Sequence, residues 1–97
     1  MNKTTVANLR ADLYSIAEKI ICDVTMNAEE SGKHTPGSWT KEGMEHHLSR
    51  VVQHIADYMS GDRSEEHLEH ALCRMSMAVW SRSHNLIGDY GNEGQGR

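Results

Sequence analysis

The chain has 97 residues, a formal net charge of −4 with histidine counted as neutral, and 37% hydrophobic residues with no Phe. This length predicts one domain with a small core of Leu, Ile, Val, Met and Ala, and such a core often gains stability from a second copy of the chain. Ten basic residues are outnumbered by fourteen acidic ones and form no dense run. This balance disfavours direct binding to nucleic acid.

The two cysteines, Cys22 and Cys73, lie far apart in apolar segments and form no CxxC pair. Their spacing excludes a zinc ribbon and is typical of reduced core cysteines. The first residues contain no continuous apolar stretch of the kind found in signal peptides or membrane spans. We therefore expect a cytoplasmic protein with no membrane partner.

A long amphipathic helix is predicted over residues 4–30, because apolar residues recur there at steps of three and four. Thr4 or Thr5 can cap its start, and Ser31-Gly32 ends it. The expected buried stripe consists of Val6, Leu9, Leu13, Ile16, Ile20 and Val24, widened by Ala17 and Ile21.

Residues 31–39 are predicted to form a loop, because Pro36 favours an extended residue before it and Gly37 permits a tight turn. Trp39 ends the loop and is expected to anchor it on the helices. The alternative role for its indole ring is a platform on which a nucleotide base stacks.

A second helix is predicted over residues 41–60, with Thr40 as its cap and Gly61 just after its end. The connection to the next helix is short, so that helix must run back antiparallel. The expected buried stripe of the second helix consists of Met44, Leu48, Val51, Val52, Ile55 and Met59.

A third helix is predicted to start with Ser64 as its N-cap. Its expected stripe consists of Leu68, Leu72, Met75, Val79 and Leu86. Further apolar residues cover more than half of its circumference, which favours neighbours on two sides and hence a homo-oligomer. The predicted fold is an all-α, three-helix bundle over residues 1–87 with an antiparallel hairpin of the second and third helices. Residues 88–97 are expected to form a flexible, Gly-rich tail.

Three histidines lie at matched heights on the two sides of the expected turn. His54 is seven residues before Gly61, and His67 and His70 are six and nine residues after it. At about 1.5 Å rise per residue, all three lie about 9–14 Å from the turn. Their imidazole rings can therefore meet across the hairpin.

Imidazoles in this arrangement fit three kinds of chemistry. They can bind a divalent metal with an open position for water, bind phosphate together with Arg74, or transfer protons as general acids and bases. The structural alternative is a set of polar residues that bridges the helices or an oligomer interface. We take His54, His67 and His70 as ligands of Mn²⁺, Zn²⁺ or Mg²⁺, and Trp39 and Arg74 as substrate-binding residues.

Two ExxE pairs, Glu42 with Glu45 and Glu66 with Glu69, have the spacing of the metal ligands in all-α nucleotide pyrophosphohydrolases. Within one hairpin, however, these pairs lie about 15 Å apart along the helix axis. They could share a metal only across an oligomer, and a solvated acidic face is their ordinary interpretation.

A series of short motifs runs through residues 37–80. They read Gly37-Ser38-Trp39, Gly43-Met44, His54, Gly61-Asp62 and His67-Leu68-Glu69-His70-Ala71. This series resembles a family of small phage-encoded proteins that corresponds to the N-terminal domain of dATP/dGTP diphosphohydrolases. The resemblance implies a phage or prophage origin, the host bacterial cytoplasm as location, and a nucleotide-related site. It does not establish hydrolysis.

The leading hypothesis is a nucleotide-handling protein that binds a deoxynucleoside phosphate at the histidine site with a divalent metal. If the protein is an enzyme, a metal-bound water would be the nucleophile, since its pKa can fall to about 7. The rival hypothesis is a small acidic phage protein that binds and inhibits a host defence protein, as anti-CRISPR proteins do. A dimerisation module without a ligand is a third option. The acidic face of the rival hypothesis would consist of Glu29, Glu30, Glu42, Glu45, Glu65, Glu66 and Glu69.

Overall fold

The computed structural model describes residues 3–84. Within this range the chain is helical and contains no strand, so the predicted all-α class is confirmed. Helix α1 spans Lys3–Glu30, a 3₁₀ helix spans Ser38–Lys41, α2 spans Met44–Met59 and α3 spans His67–Ser83. The predicted tail over residues 88–97, and Leu86 of the predicted third stripe, lie outside the described residues.

Helix α1 ends where the sequence predicts. The N–H of Ser31 donates to the carbonyl of Asn27, and the N–H of Gly32 donates to that of Glu29. Gly32 has a φ of 76°, which a residue with a side chain rarely adopts. The helix has 28 residues, which gives it a length of about 42 Å, and it packs against α3.

Helix α2 begins three residues later than predicted, and Thr40 is not its cap. The Thr40 hydroxyl donates to the carbonyl of Gly37 at 2.6 Å and so belongs to the preceding 3₁₀ turn. Gly43 is the N-cap residue instead. The 3₁₀ helix therefore sits as a separate element between the loop and α2.

The turn between α2 and α3 places Gly61 as predicted, with a φ of 99° directly after the last turn of α2. Helix α3 starts at His67 rather than after Ser64, so the predicted N-cap is wrong. The reason is that Oδ1 of Asp62 accepts the N–H of Ser64 at 2.9 Å. This bond holds the residues before His67 in a turn.

The two helices run antiparallel and pack closely, as predicted, but through a different pair of faces. Helix α2 buries His47, Val51 and His54, and α3 buries His67, Ala71, Cys73, Ala78 and Ser81. These side chains are small or form hydrogen bonds, so the two helix axes can approach closely. The predicted buried stripes are therefore wrong for six residues that are exposed: Val52, Ile55, Met59, Leu68, Met75 and Val79.

The first half of α1 also departs from its predicted burial. Leu9, Leu13 and Ile16 are exposed, whereas Ile20 and Val24 are half-buried. Only the C-terminal half of α1 therefore lies against the hairpin. Within residues 3–84, no helix is both long enough and apolar enough to cross a membrane.

Candidate functional site

His54 on α2 and His67 on α3 face each other in the hairpin interface, both buried. Their Nδ1 atoms are 3.0 Å apart, and the ring of His70 lies 5.2 Å from that of His54 between centroids. The three rings therefore lie close together at the hairpin, as expected. Their closeness follows from the antiparallel register, which places residues equally distant from the turn at the same height. The group of ligand atoms that could hold a metal, however, contains Glu65 in place of the predicted His70.

The turn orients His67 through Asp62. The Nε2–H of His67 donates to Oδ2 of Asp62 at 2.8 Å, so the lone pair of the neutral ring is on Nδ1 and points at His54. This hydrogen bond, with the N–H of Ser64, lowers the pKa of Asp62 to about 2. A carboxylate behind a histidine is the usual support of a metal-binding imidazole, because it fixes the tautomer and raises the basicity of the free nitrogen.

The turn itself is held by Arg63. Its guanidinium lies 3.7 Å from the centre of the Tyr58 ring and donates to the carbonyl of Tyr58 at 2.8 Å. These contacts fold the turn back onto the end of α2. Asp62 is therefore carried by a fixed segment of backbone.

Glu65 adds a carboxylate to the pair of imidazoles. Its Oε1 accepts the Nδ1–H of His70 at 2.8 Å and lies 3.8 Å from Nδ1 of His54. The hydrogen bond from His70 lowers the pKa of Glu65, which keeps this carboxyl ionised. Burial lowers the pKa of His54 and keeps its ring neutral, which is the form that binds metals.

The ligand atoms of His54, Glu65 and His67 all lie within 4.8 Å of one another and could hold a metal ion. The 3.0 Å contact between the Nδ1 atoms is a hydrogen bond, in which Nδ1–H of His54 donates to the lone pair on Nδ1 of His67. A metal ion would replace this proton. Two nitrogens bound to one ion at about 2.0–2.1 Å lie about 3.0–3.4 Å apart, so the rings would have to move little. Asp57, Asp62 and His67 form a second group whose ligand atoms lie within 4.8 Å of one another. There, however, the nitrogen of His67 that faces Asp62 already donates its proton.

A cleft of about 430 Å³ opens beside the candidate metal site, between the C-terminal half of α1, the loop after it and the hairpin. Its lining includes His54, Glu65 and His70. Basic side chains line it as well, namely Lys33, His34, Arg50 and Arg74, together with the carboxylates of Asp23 and Glu66. Clefts of about 300–1,000 Å³ are typical of small-molecule sites.

Arg74, which the sequence assigned to substrate, is held by two protein groups. Its NH1 donates to Oε1 of Glu42 and to Nδ1 of His47, each at 3.0 Å. The Nε2–H of His47 donates to the carbonyl of Trp39 at 3.1 Å. His47 is completely buried, and burial lowers the pKa of its imidazole. His47 thus ties the 3₁₀ helix to the hairpin.

Trp39 lies at the other end of this network. Its ring packs edge-on against Trp80 at 5.0 Å between centroids and also contacts the ring of His47. Trp39 lines a second, much smaller pocket and is not part of the main cleft lining. These contacts match the anchoring role expected for Trp39, and the stacking role stays a prediction.

Three residues that shape the site were not selected from the sequence: Asp62, Glu65 and Arg50. Arg50 is exposed, lines the cleft one helical turn before His54, and makes no hydrogen bond or ion pair within residues 5–84. Its spacing of four from His54 could have indicated a shared helix face. Asp62 and Glu65 lie in the turn, where spacing alone does not show the direction of a side chain.

The comparisons with known proteins add no assignment to this geometry. No protein-family model, no curated protein and no solved structure matches the chain. The resemblance to the phage-encoded family therefore stays a prediction that rests on the motifs between residues 37 and 80.

Proposed function

We propose that this protein binds a divalent transition metal at His54, Glu65 and His67 and a nucleotide in the adjoining cleft. The observation that carries the proposal is the 3.0 Å separation of the two Nδ1 atoms, with a carboxylate behind His67 and another beside His54. Two imidazoles and one carboxylate favour Zn²⁺ or Mn²⁺ over Mg²⁺, which prefers oxygen ligands.

The proposal of a phosphate-bearing ligand rests on the cations of the cleft. Arg50 lies on the same face of α2 as His54 and pairs with no carboxylate among residues 5–84. A guanidinium in this position can bind the oxygens of a phosphate group in a bidentate manner. Arg74 is a second candidate whose NH1 group is already bonded to Glu42 and His47.

Hydrolysis would be a further step of the same proposal. Three protein ligands leave at least one position of a metal ion open for water, and a bound Zn²⁺ lowers the pKa of that water to about 7. His70, whose Nδ1–H is bonded to Glu65, is the nearest further imidazole that could exchange a proton with it.

Isothermal titration calorimetry with Zn²⁺ and Mn²⁺ tests the metal site. We expect one metal per chain for the wild type and a loss of at least tenfold in affinity for His67→Ala. The matched control is His84→Ala, because His84 is an exposed histidine stacked on Trp80 at the end of α3. Equal affinity of wild type and His67→Ala would overturn the metal site.

A second titration, with dATP and dGTP in the presence of the metal, tests the nucleotide site. Arg50→Gln is expected to weaken nucleotide binding about tenfold or more without changing metal affinity. Arg82→Gln is its control, because Arg82 is exposed and does not line the cleft. If the wild type binds the metal but no nucleotide, the nucleotide proposal fails. If it binds neither, an acidic protein that blocks a host protein becomes the better hypothesis.

A further inference from the structure

One face of the α2–α3 hairpin is apolar over residues 48–59 of α2 and 68–79 of α3, and no other helix covers it among residues 5–84. Six of its residues are exposed, with Val52 and Met59 at 67% and 78% of full exposure. Leu48 and Leu72 complete it and are half-buried. The apolar face, in chain order, consists of Leu48, Val52, Ile55, Met59, Leu68, Leu72, Met75 and Val79.

The two helices turn their apolar stripes to the same side of the hairpin. On α2, Val52 and Ile55 directly follow the buried residues Val51 and His54, and on α3 the exposed Leu68 directly follows the buried His67. One residue is a rotation of about 100° around the helix axis. On each helix the apolar stripe is therefore rotated by about 100° from the side that faces the other helix. Because the two helices run in opposite directions, these two rotations bring both stripes to the same face of the hairpin.

The spacing of the apolar face is that of a coiled-coil seam. On α2 the steps from Leu48 to Met59 are four, three and four residues, and on α3 the steps from Leu68 to Val79 are the same. This is the alternation of a and d positions in a heptad. Two antiparallel helices that both carry such a seam on one side are half of a four-helix bundle.

The area of the apolar face reaches the lower end of what a dimer needs. The six exposed residues are at 42–78% of full exposure and present roughly 600 Å² per chain, so that complete burial against an equal face would reach at most roughly 1,200 Å², the lower limit of stable protein–protein interfaces. Exposed apolar patches of this size on soluble proteins mark interaction sites. The other candidate cover, residues 85–97 of the same chain, offers only Leu86, Ile87 and Tyr90 as large apolar residues.

We infer that the apolar face binds the same face of a second copy and forms a two-fold, four-helix bundle. A two-fold axis requires a self-complementary surface, and an uncharged face with identical seams on both helices meets that requirement. Arg50 and His70 line the cleft on the opposite side of the hairpin from this face. The dimer therefore leaves the cleft open, and the inference does not depend on the proposed function.

Sedimentation equilibrium of the full chain at micromolar concentration tests the inference. The wild type is expected to have twice the mass of one chain, and Val52→Glu to have the mass of one chain, because the dimer would bury the new charge. Val52 is exposed in the single chain, so the variant should keep its helical circular dichroism. Gln53→Glu is the matched control: it adds the same charge to an exposed position of α2 that lies about 100° around the helix from Val52, and it should stay dimeric.

Met75→Glu, on the α3 side of the face, should also be monomeric. If either glutamate variant loses its helical signal, the comparison of masses is replaced by isotope-filtered NOEs, recorded on a mixture of labelled and unlabelled wild type. These NOEs should connect methyl groups of the apolar face on one chain with those on the other. A monomeric wild type overturns the inference. A wild-type dimer that both glutamate variants preserve overturns it as well. Metal binding by a monomeric glutamate variant would show that the metal site does not depend on dimerisation, so the two proposals can be tested separately.

Discussion

At the scale of single residues, Asp62 determines which nitrogen of His67 is available to a metal. Its carboxylate accepts the Nε2–H and leaves the Nδ1 lone pair directed at His54. Asp62→Asn keeps an oxygen acceptor but removes the charge, so we expect metal affinity to fall about 10–100-fold with little change in fold. A competition titration against a chelator measures this difference.

Asp57→Asn is the control for that experiment. Asp57 belongs to the second group that could hold a metal, and its carboxylate accepts a hydrogen bond from Gln53. If the metal binds at His54, Glu65 and His67, Asp57→Asn should leave its affinity unchanged. A larger loss for Asp57→Asn than for Asp62→Asn would move the site to the second group.

The sequence predicted the meeting of His54, His67 and His70 but not the carboxylates that orient them. The histidines lie on helices, where residue number fixes both height and direction. Asp62 and Glu65 lie between the helices, where the direction of a side chain depends on turn dihedrals. The bond from Ser64 N–H to Asp62 fixes these dihedrals. It is an Asx turn, which the order Asp-Arg-Ser permits but which apolar periodicity does not reveal.

At the scale of elements, the 3₁₀ helix is joined to the hairpin by polar contacts. Arg74 bonds to Glu42 and His47, and the hydroxyl of Ser81 donates to the carbonyl of Glu42 at 3.1 Å. Arg74→Leu leaves the buried His47 without one hydrogen-bond partner and removes the guanidinium that pairs with Oε1 of Glu42. We expect a loss of about 1–3 kcal/mol in the free energy of unfolding, measured by urea denaturation, with metal affinity unchanged.

Arg82→Leu is the matched control, because Arg82 is exposed on the same helix. Its effect on stability should stay within about 0.5 kcal/mol. The opposite result for Arg74→Leu, unchanged stability with lost nucleotide binding, would show that Arg74 binds phosphate as the sequence predicts. The stability measurement therefore decides between a structural and a ligand-binding role for this arginine.

Apolar periodicity predicted the three helices and their turn, and it failed on what each helix buries. The stripe through Val52 and Ile55 is amphipathic in the expected way, yet it faces outward. Periodicity shows that a stripe has to be covered, but not whether the same chain covers it. In this hairpin α3 instead buries small residues such as Ala71, Ala78 and Ser81 beside its imidazole at His67.

At the scale of the whole molecule, two buried histidines connect folding to pH. Burial is the main cause that lowers the pKa of both His47 and His54 below the ordinary 6.5. The unfolded chain therefore takes up protons near pH 6.5 that the folded chain still excludes. By linkage, the stability these residues contribute is complete above pH 6.5 and is lost as the pH falls below it.

The surroundings of each ring modify this effect without reversing it. Near His54, the charges of His70, Arg50 and His67 further lower the pKa, and Glu65 raises it. Near His47, the bond to Trp39 and the charge of Glu42 raise the pKa, whereas Arg74 and His46 lower it. In both cases the net direction is downward.

The free energy of unfolding is therefore expected to fall between about pH 7 and about pH 5, a range in which histidine is the main titrating side chain. Asp62 does not contribute there, since its pKa of about 2 lies below that of the unfolded chain and its stabilisation persists until the pH falls below about 4.

Because a metal binds only the neutral imidazoles of His54 and His67, the fall in the free energy of unfolding should be steeper with Zn²⁺ present. Urea denaturation across this range, with and without Zn²⁺, measures both slopes. A stability that is constant or that increases towards pH 5 would contradict the burial of neutral His47 and His54, and equal slopes with and without Zn²⁺ would contradict metal binding through them.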